Sequence, residues 1–110
     1  MTGALFKELI SVIESVSEFL EAATKSQIRR DLINFFYENQ FAMDTAKNLS
    51  RWINRDLSEI EKDLEGLVKL KAIEKIGEGG SAIYSYTQNL ETIEMIERYI
   101  KIMRGEERYG

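Results

Sequence analysis

Six cations fall between residues 24 and 55: Lys25, Arg29, Arg30, Lys47, Arg51 and Arg55. Only Asp31, Glu38 and Asp44 oppose them there, so the block carries +3 in a chain whose formal net charge is −4. Residues 1–23 carry −3, residues 56–76 carry −2 and residues 77–110 carry −2. Cations gathered on one stretch neutralise a polyanion, and a chain of low pI can still bind nucleic acid through such a local patch.

Other chemistries are poorly provided for. There is no Cys and no His. That removes the thiolate nucleophile, the disulfide framework, the usual general base and the commonest transition-metal ligand. Glu59, Asp63 and Glu65 fall on an expected open helix face, where the burial that tunes a catalytic carboxyl is lacking. Gly77-Glu78-Gly79-Gly80-Ser81 lacks the Lys and the following helix of a phosphate loop. No loop shows the alternating acidic ligands of a calcium site. The expectation is a protein that is not an enzyme, with no cofactor and no metal.

These residues need a scaffold, and 110 residues with 44% hydrophobic content suit one domain, residues 1–110. A helix is expected over Thr2–Ala23. Leu5, Leu9, Val12, Val16, Phe19 and Ala23 recur four and three apart, a heptad seam. Phe6, Ile10, Ile13 and Leu20 form a second row beside it. One row packs on the domain and the other on a partner, or both are buried broadly in the domain's own core. Thr24-Lys25-Ser26-Gln27 matches a capping box, so a second helix is expected from there to about Asn39. Phe41 and Met43 are placed in a short connection. Asp44 or Thr45 caps a helix from Ala46 to about Asn54.

Asp56 or Ser58 caps the next helix, with Glu59 or Glu61 completing a capping box, and the helix runs to about Lys71. Its apolar positions are Leu57, Ile60, Leu64, Leu67, Val68 and Leu70. Then the period changes from helix to strand. Ile73–Ile76 and Ala82–Thr87 read as a hairpin around glycines 77, 79 and 80, which permit positive φ. Asn89 caps a last helix, Leu90 to about Arg104, with apolar residues on more than one face. Residues 105–110 read as a tail.

The run from Ile60 to Ile73, with leucines at 64 and 67, resembles the third helix and following strand of winged helix-turn-helix proteins. These include the MarR-like and ArsR-like regulators of bacteria and archaea. Ala46, Leu49 and Ile53 resemble the helix before it. The resemblance covers about residues 24–87. Such regulators usually have Gly in the turn before the first strand, where this chain has Lys71-Ala72. The implied fold is mainly α with a small β-hairpin: a winged helix-turn-helix core at 24–87, with an added N-terminal helix at 1–23 and a C-terminal helix at 88–104.

The resemblance implies that the helix after Asp56 lies in the major groove of double-stranded DNA, with its first turns facing base edges. Lys62 would reach a guanine edge or a phosphate, and Ser58 either. Glu59 accepts only from cytosine, and Asp63 repels phosphate. Arg51 and Arg55, one turn apart, would grip phosphates, with Arg29, Arg30 and Lys47 extending the patch. Lys75 and Ser81 are offered by the wing, and Glu78 at its tip opposes the minor groove. Trp52 is expected to be a half-buried packing residue rather than a base-stacking platform.

The functional expectation is therefore a prokaryotic DNA-binding transcriptional regulator acting as a homodimer. Its dimer surface is placed on Leu5, Leu9, Val12, Val16 and Phe19 with Met95, Tyr99 and Ile102. The alternative is a winged-helix interaction or scaffold module that binds an unidentified protein and not DNA, because the third helix of the core carries more acid than base. The apolar run Leu9–Ile13 is far short of the roughly 20 residues of a membrane span, and no basic region precedes it. A soluble, cytoplasmic protein without a membrane partner is expected.

Overall fold

The computed structural model describes residues 2–105, and within the first helix it leaves out the side chains of residues 2–6, 12 and 13. The element order is α1 (Thr2–Ala23), α2 (Gln27–Glu38), β1 (Met43–Thr45), α3 (Ala46–Trp52), α4 (Leu57–Lys69), β2 (Ile73–Ile76), β3 (Ile83–Tyr86) and α5 (Leu90–Met103). A single turn of 3-10 helix, Gly79–Ser81, lies inside the hairpin loop. The sheet is antiparallel in the order β1-β3-β2, with Lys75 opposite Tyr84 and Asp44 opposite Tyr84 on the other side. This is the winged helix arrangement: α2, α3 and α4 form the helical core and β2–β3 the wing.

Hydrophobic spacing fixes which face each helix buries. Leu32, Ile33 and Phe36 of α2, Leu49 of α3 and Ile60, Leu64 and Leu67 of α4 are all buried. Tyr84 and Tyr86 of β3 and Ile96 and Ile100 of α5 close the same core. Burying one Leu or Ile side chain stabilises by about 1.5–3 kcal/mol, so the three core residues of α4 hold its rotation and leave Ser58, Glu61 and Lys62 outside.

Local chemistry sets the ends. Thr45 caps α3 by accepting from the Asn48 N–H, and Asn89 caps α5 by accepting from the Thr92 N–H. Asp56 begins α4, and the Glu59 carboxylate accepts from the Asp56 N–H at 3.0 Å. Both α3 and α4 end in Schellman turns. The Arg55 N–H reaches Ser50 O and the Asn54 N–H reaches Arg51 O; likewise Ala72 reaches Leu67 and Lys71 reaches Val68. Each turn places one residue in the left-handed region, Asn54 at φ 57° and Lys71 at φ 63°. Lys71 thus does the work for which the resembled regulators use Gly.

Three expectations are corrected. The cap of α2 is Ser26, not Thr24. Thr24 instead closes the end of α1, directly after Ala23, where its N–H and its hydroxyl both donate to Leu20 O. Met43 is not in a simple connection; it opens β1, a strand of three residues held by pairing with β3. Trp52 is not half-buried: it is 67% exposed, with its ring stacked over Phe35 at 6.2 Å between centroids.

Candidate nucleic-acid interface

The expected interface residues divide into two groups once their partners are known. Lys47 and Arg51 stand one turn apart on α3, exposed and without an ion pair among the described residues. Ser58 and Lys62 stand one turn apart on α4, exposed and equally without one. These four are uncommitted.

The others are held by carboxylates or carbonyls. Arg55 Nη2 donates to Asp31 Oδ2 at 3.2 Å. Arg30 donates to Thr24 O and to the Gln27 side chain. On the wing, Lys75 Nζ donates to Glu65 Oε1 of α4 at 2.9 Å, and the Tyr84 hydroxyl donates to the same oxygen at 3.2 Å. The hydrogen bond from Lys75 holds the Glu65 carboxyl below its ordinary range, and Glu65 in turn raises the Lys75 ammonium. Burial pushes the Tyr84 phenol up. Ser81 is exposed at the wing tip and its hydroxyl points back to Glu78 O. Lys75 therefore fastens the wing to α4, and a polyanion would have to compete with Glu65 for it.

Arg29, assigned to the basic patch from sequence, is largely withdrawn from solvent and turned inward. Its Nε donates to Asp63 Oδ1 at 2.9 Å, with 12% of the Arg29 and 17% of the Asp63 side chain exposed. Its Nη1 donates to Ala22 O at 2.8 Å, at the end of α1. Ser26 completes the arrangement: its hydroxyl accepts from the Arg29 N–H and donates to Asp63 Oδ2 at 3.2 Å. Asp63 is consequently neutralised from within and is not the phosphate-repelling group expected. Sequence reading missed Ser26 and Gly66 in this network. Gly66 was the available signal, since a lone glycine inside a helical pattern often has a packing cause.

Arg51 and Arg55 line an open depression of about 450 Å³ with Ser50, Asn54, Asp56 and Glu59. Two guanidinium groups there face two carboxylates, so the depression is of mixed charge. A second, larger groove of about 1100 Å³ runs between α1 and α5. Val16, Met95, Tyr99 and Ile102, all assigned to a dimer surface from sequence, line it. Phe19 and Tyr99 pack in addition against the domain's own core. Leu9 is 55% and Ile102 57% exposed. The side chains of Leu5 and Val12 lie outside the described ones.

No protein-family model matches the chain, and no curated protein matches it. Among solved structures it is similar to a possible transcriptional regulator from Methanosarcina mazei Go1, with a TM-score of 0.56 and 12% identity. The match covers 83% of this chain and 81% of that one. At that identity the likeness is one of fold. No described helix is long and apolar enough to cross a membrane.

Proposed function

We propose that the chain is a prokaryotic, cytoplasmic DNA-binding transcriptional regulator that acts as a homodimer and has no catalytic role. The observation that carries this is the exposure of Ser58 and Lys62 on the outer face of α4 with Lys47 and Arg51 uncommitted on α3. In the helix-turn-helix mode the second helix of the unit lies in the major groove and the first crosses the backbone. That geometry puts Lys62 and Ser58 at base edges or phosphates, and Lys47 and Arg51 at phosphates. The fold likeness to a possible transcriptional regulator supports the same reading.

The homodimer rests on the apolar surface left on α1 and along the α1/α5 groove. Large exposed apolar patches on soluble proteins mark interaction surfaces. A twofold dimer through these helices would present two copies of α4 to half-sites about 34–36 Å apart.

Fluorescence anisotropy of labelled mixed-sequence and genomic upstream duplexes tests the reading. Binding that weakens steeply with salt, and is retained at physiological salt for one genomic fragment, is the expected result. Absence of binding even at low salt would overturn it.

One observation favours a second reading. Glu59, Glu61 and Glu65 are exposed on α4 beside Lys62. A winged-helix module that meets a basic protein surface through α4 would use Glu61 first, since Glu59 already accepts from the Asp56 N–H and Glu65 from Lys75 and Tyr84, and it would bind no duplex at any salt concentration.

A further inference from the structure

We propose that Arg29 is a positioning residue that couples α1 to α4, and so sets the separation of the two α4 helices in a dimer; this rests on the dimeric DNA-binding reading. One guanidinium makes the connection. Nη1 holds the carbonyl of Ala22 in the last turn of α1, where a cation complements the negative end of the helix. Nε holds Asp63 in the middle of α4. Asp63 is fixed from its other oxygen by Ser26, which also caps α2. Three helices therefore meet at one charged group.

Gly66 makes the meeting possible. A Cβ built there would lie 2.7 Å from Arg29 Cζ, so a side chain at this position would force the guanidinium out of its present place against α4. The residue lies in the last turn of α4, where glycine still costs up to about 1 kcal/mol relative to alanine in helix propensity. The packing against Arg29 gives that placement a physical cause.

The coupling matters because α1 is long. Its 22 residues span about 33 Å at 1.5 Å per residue. Its last residue, Ala23, is buried, whereas Leu9 and Ile10 nearer the start are exposed. A tilt of about 5° at the Arg29 end moves the far end by roughly 3 Å over that length. If α1 forms the dimer surface, that movement changes the separation of the reading helices directly.

The chain has no cysteine, so label pairs can be introduced cleanly. Spin labels at Glu14→Cys and Glu61→Cys report α1 against α4, and labels at Glu61→Cys and Glu78→Cys report α4 against the wing. The labelled chain is diluted in excess unlabelled protein so that distances within one chain dominate. Two backgrounds are compared with the parent: Arg29→Gln combined with Asp63→Asn, which leaves no uncompensated buried charge, and Gly66→Ala, which keeps both charges and displaces the guanidinium. The expected result is an α1–α4 distance that shifts by about 1–2 Å or broadens, the scale of helix shifts in coupled systems, while the α4–wing distance holds. An unchanged α1–α4 distribution in Gly66→Ala overturns the proposal, even where the double variant does not fold.

A second readout uses mixed-sequence duplexes of about 12 and about 24 base pairs, which accommodate one and two reading helices. Gly66→Ala should weaken binding to the longer duplex about tenfold and leave the shorter unchanged. Equal losses on both would overturn the positioning role. Absence of DNA binding by the parent chain would instead overturn the DNA reading, and the distances would still decide whether Arg29 positions α1.

Discussion

Arg29 Cζ lies 2.7 Å from where a Cβ on Gly66 would begin, so the two residues share one space. The sign of a substitution at Gly66 therefore depends on what stands at position 29. Alanine within a helix is worth up to about 1 kcal/mol more than glycine. In the parent chain that gain is opposed by displacement of a guanidinium from Asp63 and Ala22. Gly66→Ala should be destabilising in the parent and stabilising by about 1 kcal/mol in an Arg29→Ala background. Urea denaturation of the four members of the cycle measures the coupling; additive effects would mean that the guanidinium is not held there.

Tyr86 presents a simpler conflict. It is buried on β3, and its hydroxyl has no hydrogen-bond partner among the described residues. Burial pushes its pKa up to about 12, with Glu97 and Tyr37 adding to the rise. The folded state thus holds the phenolic proton more tightly than the unfolded chain does. The associated stability is fully present below the ordinary value of 10.0 and is lost as pH rises toward about 12. Tyr86→Phe removes both the dependence and the unmet donor. It should raise stability near neutral pH by about 1 kcal/mol, since an unsatisfied buried polar group costs about 1–3 kcal/mol. Thermal denaturation between pH 7 and pH 11 checks both statements. A lower melting temperature for the variant at neutral pH would show that the hydroxyl has a partner in solution.

Lys71 stands at φ 63° without the freedom of glycine. A left-handed conformation costs an ordinary residue about 1–2 kcal/mol, and glycine's greater unfolded-state entropy returns part of that. Lys71→Gly should therefore stabilise the chain by about 0.5–1 kcal/mol in chemical denaturation. A loss of stability would mean that the Lys71 side chain does more than complete the turn.

The wing should loosen in acid. Glu65 has a folded-state pKa below 4.5, chiefly because Lys75 donates to it. Its contribution is present above 4.5 and is lost as pH falls through the depressed folded value. The two side chains are partly exposed, so the effect on global stability is small and the effect on the wing is local. Protection of the β2 and β3 amides, relative to their intrinsic exchange rates, should fall as pH drops below 4.5 and through the depressed Glu65 value, while α2 and the α4 core stay protected. Uniform acceleration across the chain would reject a local hinge at this pair.

Phosphate contacts have their own signature. Removing one Lys or Arg that neutralises a phosphate lowers the salt slope of duplex binding by about 0.9. Lys47→Ala and Arg51→Ala should each do so. Arg55→Ala should do so less, because Asp31 already holds that guanidinium. Equal slopes in all three variants and the parent would remove α3 from the interface.

Periodicity and end signals made the helices and the wing legible. Leu64 and Leu67 follow Ile60 at helical spacing, and Asn89 announces α5, because these are local relations along the chain. What was illegible is non-local. β1 has three residues and no period of its own; it is a strand because β3 lies beside it. Arg29 and Asp63 are 34 positions apart, so a cation that looked like part of a surface patch is an internal brace. The partners of Arg55 and Lys75 were hidden for the same reason: residue type shows a charge, and only the fold shows that Asp31 and Glu65 already meet it. The candidate site thus contracts from a broad basic block to Lys47, Arg51, Ser58 and Lys62.

Trp52 is the chain's sole tryptophan, and its exposed ring rests on Phe35 at the end of α3. Its indole emission consequently comes from one known place, two residues before the left-handed turn that leads into α4. Whatever lands on α3, whether duplex or protein, will change the solvent around that ring or the stacking beneath it. The protein carries its own optical probe at the surface whose occupant is in question, and unlabelled partners can be titrated against it directly.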